Sequence, residues 1–595
     1  MKIKHQLFTR IRKTITSTLY SVLVVSLFSV GISNTVNALP GPFIEKSPLF
    51  LANRAEPNIF FMIDDSGSMD LEMMTDENLA GWGGAMRIDG RTYLYLFGEN
   101  GDTGTGNISW SGNSRNTYTN GSILPTQVYI DARYSGVLTP DLRGVWRGRN
   151  SDYNSLYYNP ATDYRPWIGR NDAGVSFPDY KDKTLPAPLG SGFTPTAVPI
   201  DPYYATGDTY DLTTTKSFVT RNIDGTATPD PITTHNPVTT HNPVTTHNTL
   251  LPVTIIPMSY HVWPNTEADT SVDPTDNHRL ILINTSNTIC SAAQTPYVNG
   301  CLLRSYDDEM RNFTNWFVYH RKRDFTGKYA LTQVIDPADN VRMGMATIND
   351  SQQDSNIRLQ TMSPDATTGN KATLLEGLFQ MNSAGSTPLR AALQRAGNYY
   401  ACSGDRPDFN PNPGGGDCGI QKSFVSPATE APGLCQQNFT LLLSDGERNQ
   451  PILTAIGNVD NSSAGVYTFN GMTFTGYEPY ADGENNSLAD VAMHYYARDL
   501  DTGLDNEVPT ICGVDENPAQ HMVTYTVGFG VRGNVDLTAL PTHPARGYPA
   551  GCAAPATAAA NFDWSNGAIN TGAERIDDLV HAAYNGRGQY LSAQN

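Results

Sequence analysis

Cysteine is scarce in this 595-residue chain, at seven, and no two stand in a Cys-x-x-Cys pair, which excludes the common structural zinc sites. Positive charge is short as well: 40 Lys and Arg face 59 Asp and Glu, a formal net charge of −19. That balance leaves no basic surface of the kind phosphate-backbone binding requires, so no nucleic-acid partner is expected. Beyond residue 38 no apolar run approaches membrane-spanning length, and the mature protein is not expected to be integral to a membrane. Gly-x-Ser-x-Gly, His-Glu-x-x-His and phosphate-loop motifs are missing, and the eleven histidines form no acid–base constellation. The chain is therefore not expected to be an enzyme.

What is present begins with a leader. Lys2, Lys4, Arg10, Arg12 and Lys13 form a basic head, Leu19 to Ile32 an apolar stretch, and Val36-Asn37-Ala38 a small-residue cleavage site. Residues 1–38 read as a secretory signal peptide, the apolar stretch being too short to span a bilayer. Its removal takes away five positive charges and no negative one, moving the formal charge from −19 to −24. Export puts the cysteines in an oxidising compartment. Cys290 and Cys301 are close enough to staple one loop, Cys402, Cys418 and Cys435 share a Gly/Pro-rich segment, and Cys512 and Cys552 follow. Seven is odd, so one thiol stays free or pairs with another chain.

Two kinds of sequence alternate after the leader. The regular kind opens with the apolar run Ile59–Ile63, which reads as a buried parallel strand. A helix follows at about 307–334, with Phe313, Trp316, Phe317 and His320 at i, i+3, i+4 and i+7. Then come a strand at Val341–Ile348, a helix at Thr387–Tyr400 with Pro388 in its first turn, and a strand at Phe439–Leu443. A helix at Leu488–Leu500, a strand at His521–Phe529 and a helix at Glu574–Tyr584 complete the series. The alternation predicts a doubly wound α/β domain. The irregular kind, rich in Gly, Asn, Thr, Tyr and Pro, fills most of residues 70–306. It contains the repeat Thr-Thr-His-Asn-Pro-Val from 233 and from 239, ending in Thr245-Thr246-His247-Asn248. With proline closing each full repeat, 233–248 reads as a linker rather than a histidine metal array. A structureless stretch of this length is uncommon inside a domain, so 70–306 is expected to be an inserted, mostly β subdomain. It would divide the α/β domain into residues 39–69 and 307–595.

The junction at the end of the first strand carries the chemistry. Ile63 runs directly into Asp64-Asp65-Ser66-Gly67-Ser68, and the carboxyl ends of strands are where open α/β sheets place ligands. Asp64, Ser66 and Ser68 offer only oxygens, the set a hard cation prefers. Two later positions have the right form: Thr387 on the loop Gly385-Ser386-Thr387-Pro388, and Asp445 after the strand ending Leu441-Leu442-Leu443-Ser444. This five-residue pattern resembles the metal-ion-dependent adhesion site of von Willebrand factor type A domains, which are Rossmann-like. The resemblance implies that Ser66, Ser68 and Thr387 contact a divalent cation, Mg²⁺ first and Ca²⁺ or Mn²⁺ after it. Asp64 and Asp445 would hold the cation's waters, and a partner's carboxylate would complete the octahedron. Asp65 is expected to face solvent or to support the ligands from behind. The run Asp499-x-Asp501-x-Gly503 has its Gly misplaced for a calcium loop and reads as a helix-exit turn.

Further segments resemble the PilC/PilY family of type IV pilus-associated adhesins. They are Asp64–Met69, Tyr157-Tyr158-Asn159-Pro160, Tyr164-Arg165-Pro166-Trp167, Asn312-Phe313-Thr314-Asn315-Trp316, Leu488–Met493, His521–Gly528, Arg575–Leu579 and Asn585-Gly586-Arg587-Gly588-Gln589-Tyr590. The resemblance implies a pilus-tip or cell-surface protein, with periplasmic or outer-membrane association as other locations. It also implies contacts with minor pilins and the pilus machinery, a role in pilus assembly, and host-cell or surface ligands bearing a carboxylate. In the family a calcium-binding β-propeller follows, which would begin beyond Asn595, so functions tied to it are not carried over. A second reading is a load-sensing or regulatory scaffold of the cell envelope that docks pilus components without binding a host. Trp167 and Trp316 are expected to be packing residues.

Overall fold

The computed structural model describes residues 55–75, 147–186, 189–219, 252–262, 279–409, 432–446, 451–461, 479–531, 533–543 and 572–593. Shorter pieces lie at 86–88, 91–93, 96–97, 232–235, 243–247, 418–420, 467–469, 472–474 and 562–564. The predicted leader falls outside the described residues.

Six strands form the central sheet: β1 (Asn58–Ile63), β2 (Arg342–Thr347), β3 (Ile357–Thr361), β4 (Asn438–Ser444), β5 (Met522–Phe529) and β6 (Arg587–Ala593). Their order is β3-β2-β1-β4-β5-β6. All neighbours run parallel except β3, which pairs antiparallel with β2 at the edge. The pleat of β1 divides two cores: Phe61 and Ile63 enter one, Phe60 and Met62 the other, all at most 2 % exposed. Burial on both faces is why β1 reads as an unbroken apolar run. Six helices accompany the sheet: α1 (Tyr306–Tyr319), α2 (Arg323–Ile335), α3 (Gly369–Gln380), α4 (Leu389–Ala401), α5 (Leu488–Tyr496) and α6 (Gly572–Asn585). Residues of α1, α2 and α3 fill the core on the Phe61 face, and residues of α4, α5 and α6 the core on the Phe60 face. This mixed α/β sheet with helices on both faces is compatible with the Rossmann-like architecture the alternation predicted. Among the described residues no helix is long and apolar enough to cross a membrane.

The helix predicted over 307–334 is two helices. The chain breaks after Tyr319, and the three successive cations Arg321, Lys322 and Arg323 all turn inward, each at most 2 % exposed. Arg321 pairs with Glu72 at 3.4 Å, Lys322 with Asp70 and Arg323 with Asp445, every partner being buried. A continuous helix would spread three consecutive side chains at about 100° intervals around its axis. The break lets all three reach buried carboxylates at once.

α1 is buried at every residue from Glu309 to Tyr319 because the described part of 147–212 covers it. Trp316 Nε1 donates to Leu156 O at 2.9 Å, and Trp167 Nε1 to Tyr319 O at 3.0 Å and Phe325 O at 3.1 Å. Trp167 also stacks on Phe379 of α3 at 5.4 Å. Both tryptophans thus bury large rings with their N–H groups paired. The repeat expected to be a linker pairs with itself, Ile232–His235 running antiparallel to Pro243–His247. Disulfides join Cys290 to Cys301 and Cys402 to Cys418, Cys512 is also disulfide-bonded, and Cys435 is free.

Candidate metal centre

β1 and β4 end side by side, on the line where the strand order reverses, and the five predicted ligands belong to the loops at that edge. The Asp64 N–H donates to Leu443 O at 2.9 Å, which fixes the first loop to the end of β4. Asp64 Oδ1 accepts the Ser66 N–H at 2.7 Å, and Oδ2 accepts the hydroxyl of Ser444. Ser66 Oγ and Ser68 Oγ lie 3.0 Å apart, and Ser68 Oγ donates to Asp445 Oδ1 at 2.8 Å. Asp64, Ser66, Ser68 and Asp445 therefore form one hydrogen-bonded chain. Thr387, buried at 5 % exposure, arrives on a loop held by backbone contacts: Gly67 N–H donates to Gly385 O at 3.3 Å, and Ala384 N–H to Asp65 O at 2.5 Å. Gly385 has φ +106°, and a Cβ there would stand 3.1 Å from the Asn349 amide, so the turn requires glycine.

Asp65 does not face solvent. It is fully buried and takes Asn349 N at 3.0 Å and Asn349 Nδ2 at 2.8 Å on Oδ1, and Gln352 Nε2 at 2.7 Å on Oδ2. Asn349 Nδ2 also donates to Ser386 O at 2.8 Å, and Gln352 Nε2 to Asn382 O at 2.7 Å. These two amides tie the Asp-x-Ser-x-Ser loop to the Thr387 loop. Neither was found from sequence, although Asn349 closely follows β2 at the same sheet edge, and that position was the available signal. Ser444 and Arg323 were missed as well. Arg323 Nη1 pairs with Asp445 Oδ2, and its Nε donates to Met73 O at 2.7 Å.

Electrostatics decide what the cluster can do. Burial, and then the charge of Asp445, push the Asp64 carboxyl up to about 7. Burial pushes Asp65 up to about 6 against the opposing hydrogen bonds of Asn349 and Gln352. Among the described residues Arg323 answers one carboxylate, Asp445. The donors are carboxylate and hydroxyl oxygens, and Gly67, Ser68 and Ser386 are half-buried while Gly385 is exposed, so the cluster opens at its rim. An all-oxygen, electron-rich, partly open set fits a hard divalent cation. The Asp499–Gly503 run is a self-bonded turn: Asp501 N–H donates to Asp499 Oδ1 at 2.9 Å and Gly503 N–H to Asp501 Oδ1 at 3.2 Å.

Three curated proteins of Pseudomonas aeruginosa, each described as type IV pilus biogenesis factor PilY1, are similar to this chain. The protein of strain PAK is 28 % identical over 307 residues, covering 48 % of this chain and 25 % of its own length. That of strain PAO1 is 27 % identical over 321 residues, 50 % of this chain and 26 % of its own length. That of strain UCBPP-PA14 is 26 % identical over 331 residues, 51 % and 26 % respectively. The chain thus spans about a quarter of the length of the relatives it matches. No family model and no solved structure matches it.

Proposed function

We propose, on the premise that this chain is a PilY1-family protein over the half that aligns, that it is an exported type IV pilus biogenesis factor and adhesin. In this reading its sheet is a von Willebrand factor type A domain with a metal-ion-dependent adhesion site. The observation that carries the adhesive part is the hydrogen-bonded chain Asp64–Ser66–Ser68–Asp445 at the reversal of strand order, with the Thr387 loop laid against it.

Asp64, Ser66, Ser68, Thr387 and Asp445 would hold the cation, Mg²⁺ by preference. The cation supplies a Lewis-acidic position that a partner's carboxylate completes. The chain's own residues do the positioning. Ser444 and the Ser66 N–H orient Asp64, while Arg323 fixes Asp445 Oδ2 and leaves Oδ1 toward Ser68. Asn349 and Gln352 keep the two ligand loops in register. The partners in this reading are minor pilins and pilus machinery, with surface or host ligands bearing an exposed carboxylate.

The test is replacement of Asp64 by Asn in piliated cells, with pili sheared and immunoblotted beside the envelope fraction. The protein is expected in sheared pili in both strains, with cation-dependent adhesion lost in the variant. Unchanged adhesion at equal surface abundance would remove the adhesion site from the reading. A band confined to the envelope would remove the pilus position.

A further inference from the structure

A second group of potential ligands lies apart from the first site, in a third small core formed beside α6. Asp460 and Asp482 come from two irregular loops, and His581 from α6. One ligand atom from each lies within 4.8 Å of the other two. The side chains are 0 %, 5 % and 3 % exposed; Asp460 and His581 are buried as whole residues and Asp482 is half-buried. His581 Nε2 approaches Tyr480 O at 2.7 Å, so in the neutral ring it carries the proton and donates. That leaves Nδ1, 3.3 Å from Asp482 Oδ2, as the lone-pair nitrogen. Two ligands about 2.0–2.2 Å from a tetrahedral ion stand at about that separation. A histidine whose other nitrogen is held by a carbonyl is the usual arrangement around a bound metal. Trp564 fixes the ring from its face, stacked at 4.0 Å and 8°.

A separate observation points to a ligand. Asn585, one turn beyond His581 on the same helix face, is fully buried, and its Nδ2 donates to Asp460 Oδ2 at 2.9 Å and approaches Tyr480 O at 3.3 Å. Among the described residues its Oδ1 has no donor, which is costly for a buried amide oxygen. The two carboxylates face His581 at 3.5 Å on Nε2 and 3.3 Å on Nδ1, so a protonated ring is what balances charge there without an ion. A divalent ion carrying one water takes that proton's place: it balances the two carboxylates against a neutral imidazole, and its water donates to Asn585 Oδ1.

We propose that Asp460, Asp482 and His581 form a second metal site, for a borderline divalent cation of the Zn²⁺ class, that pins α6 to the 457–461 and 480–485 loops. The single nitrogen and two carboxylates separate it from the all-oxygen set at Asp64, which suits Mg²⁺.

The test uses the full chain, depleted of metal with a chelator and titrated with Zn²⁺ by calorimetry. The wild type is expected to bind Zn²⁺, Asp64→Asn to retain that binding, and Asp482→Asn and His581→Gln each to weaken it at least about 100-fold. Zinc X-ray absorption on the wild type is expected to report one imidazole and oxygen neighbours. That measurement decides the matter if a variant does not fold. No Zn²⁺ uptake by the wild type, undiminished uptake by folded His581→Gln, or sulfur scattering from a site at the free Cys435 would each overturn the proposal. Because Asp64→Asn is the control, failure here is distinct from failure of the adhesion site.

Discussion

Arg323 and Asp445 stand 122 residues apart in sequence and form a pair with both side chains 0 % exposed, at the point where the break between α1 and α2 meets the end of β4. Removing one partner of such a pair leaves a buried, uncompensated charge, which costs about 3–5 kcal/mol. Arg323→Ala is expected to lose stability of that order in urea unfolding. Replacing both Arg323 and Asp445 with apolar residues is expected to recover much of the loss, because the cost lies in the orphaned charge. A single variant within about 0.5 kcal/mol of wild type would mean that the pair does not hold the break.

Gly385→Ala is expected to impair cation binding at the proposed site more than the fold. The left-handed φ of +106° and the 3.1 Å approach to Asn349 force the Thr387 loop to move, at a strain of about 1–3 kcal/mol. Asn349→Ala, which cuts the bridge between Asp65 and Ser386, is expected to act in the same direction. Mg²⁺ titration followed by thermal melting checks both. Retained wild-type affinity would show that the Thr387 loop is not part of the site.

The parts legible in the sequence are those in which one residue type has one use. β1 and β4 are buried on both faces, so they appear as apolar runs, and the polar residues that follow them stand out. β3, α3 and β6 were not predicted. Leu359 is the only buried residue of β3, and Arg587 the only one of β6, so neither edge strand shows an apolar run. α3 packs through Leu374, Leu375, Leu378 and Phe379 but begins on a polar turn without a side-chain cap. The α1–α2 break was hidden because Phe313, Trp316, Phe317 and His320 keep helical spacing up to it, and the reason to stop lies in Glu72, Asp70 and Asp445, two of which precede the helix by more than 200 residues. For Asp65 the local sequence leaves a solvent-facing and a supporting role open for the same reason: the partners that decide for the second, Asn349 and Gln352, lie elsewhere in the chain.

His320 predicts an acid-sensitive fold. Its ring is buried against Tyr164 and Tyr329, with Nε2 2.7 Å from Arg165 O, and burial lowers its pKa from 6.5 to about 4. Between these values the unfolded chain binds the proton and the folded chain does not, so this residue's contribution is complete above pH 6.5 and lost as pH falls toward 4. From pH 7 to pH 5 the loss is about 2 kcal/mol. His320→Asn is expected to be less stable than wild type at pH 7 and to show a shallower decline on acidification. Parallel declines in the two proteins would assign the acid sensitivity elsewhere.

Asp64→Asn is expected to reverse its effect with the cation. Without a cation, the charged carboxyl of Asp64 is held in a buried site beside Asp445, and its pKa is raised to about 7. The folded protein therefore binds that proton more tightly than the unfolded chain. Stability from this group is complete below about pH 4 and falls as pH rises to about 7. At pH 8 in chelator the neutral Asn variant, its amide oxygen accepting the Ser66 N–H and its NH₂ donating to Ser444 Oγ, is thus expected to melt at a higher temperature than wild type. Saturating Mg²⁺ is expected to change the order. A cation at a hundredfold excess over its Kd adds about 2.7 kcal/mol to a protein that binds it only when folded, and the variant, lacking the carboxylate, gains little of this. Crossing of the two melting temperatures between chelator and Mg²⁺ would tie the raised carboxyl to cation binding. If Mg²⁺ moves both proteins equally, the cation is bound elsewhere, and the charge at Asp64 serves another end.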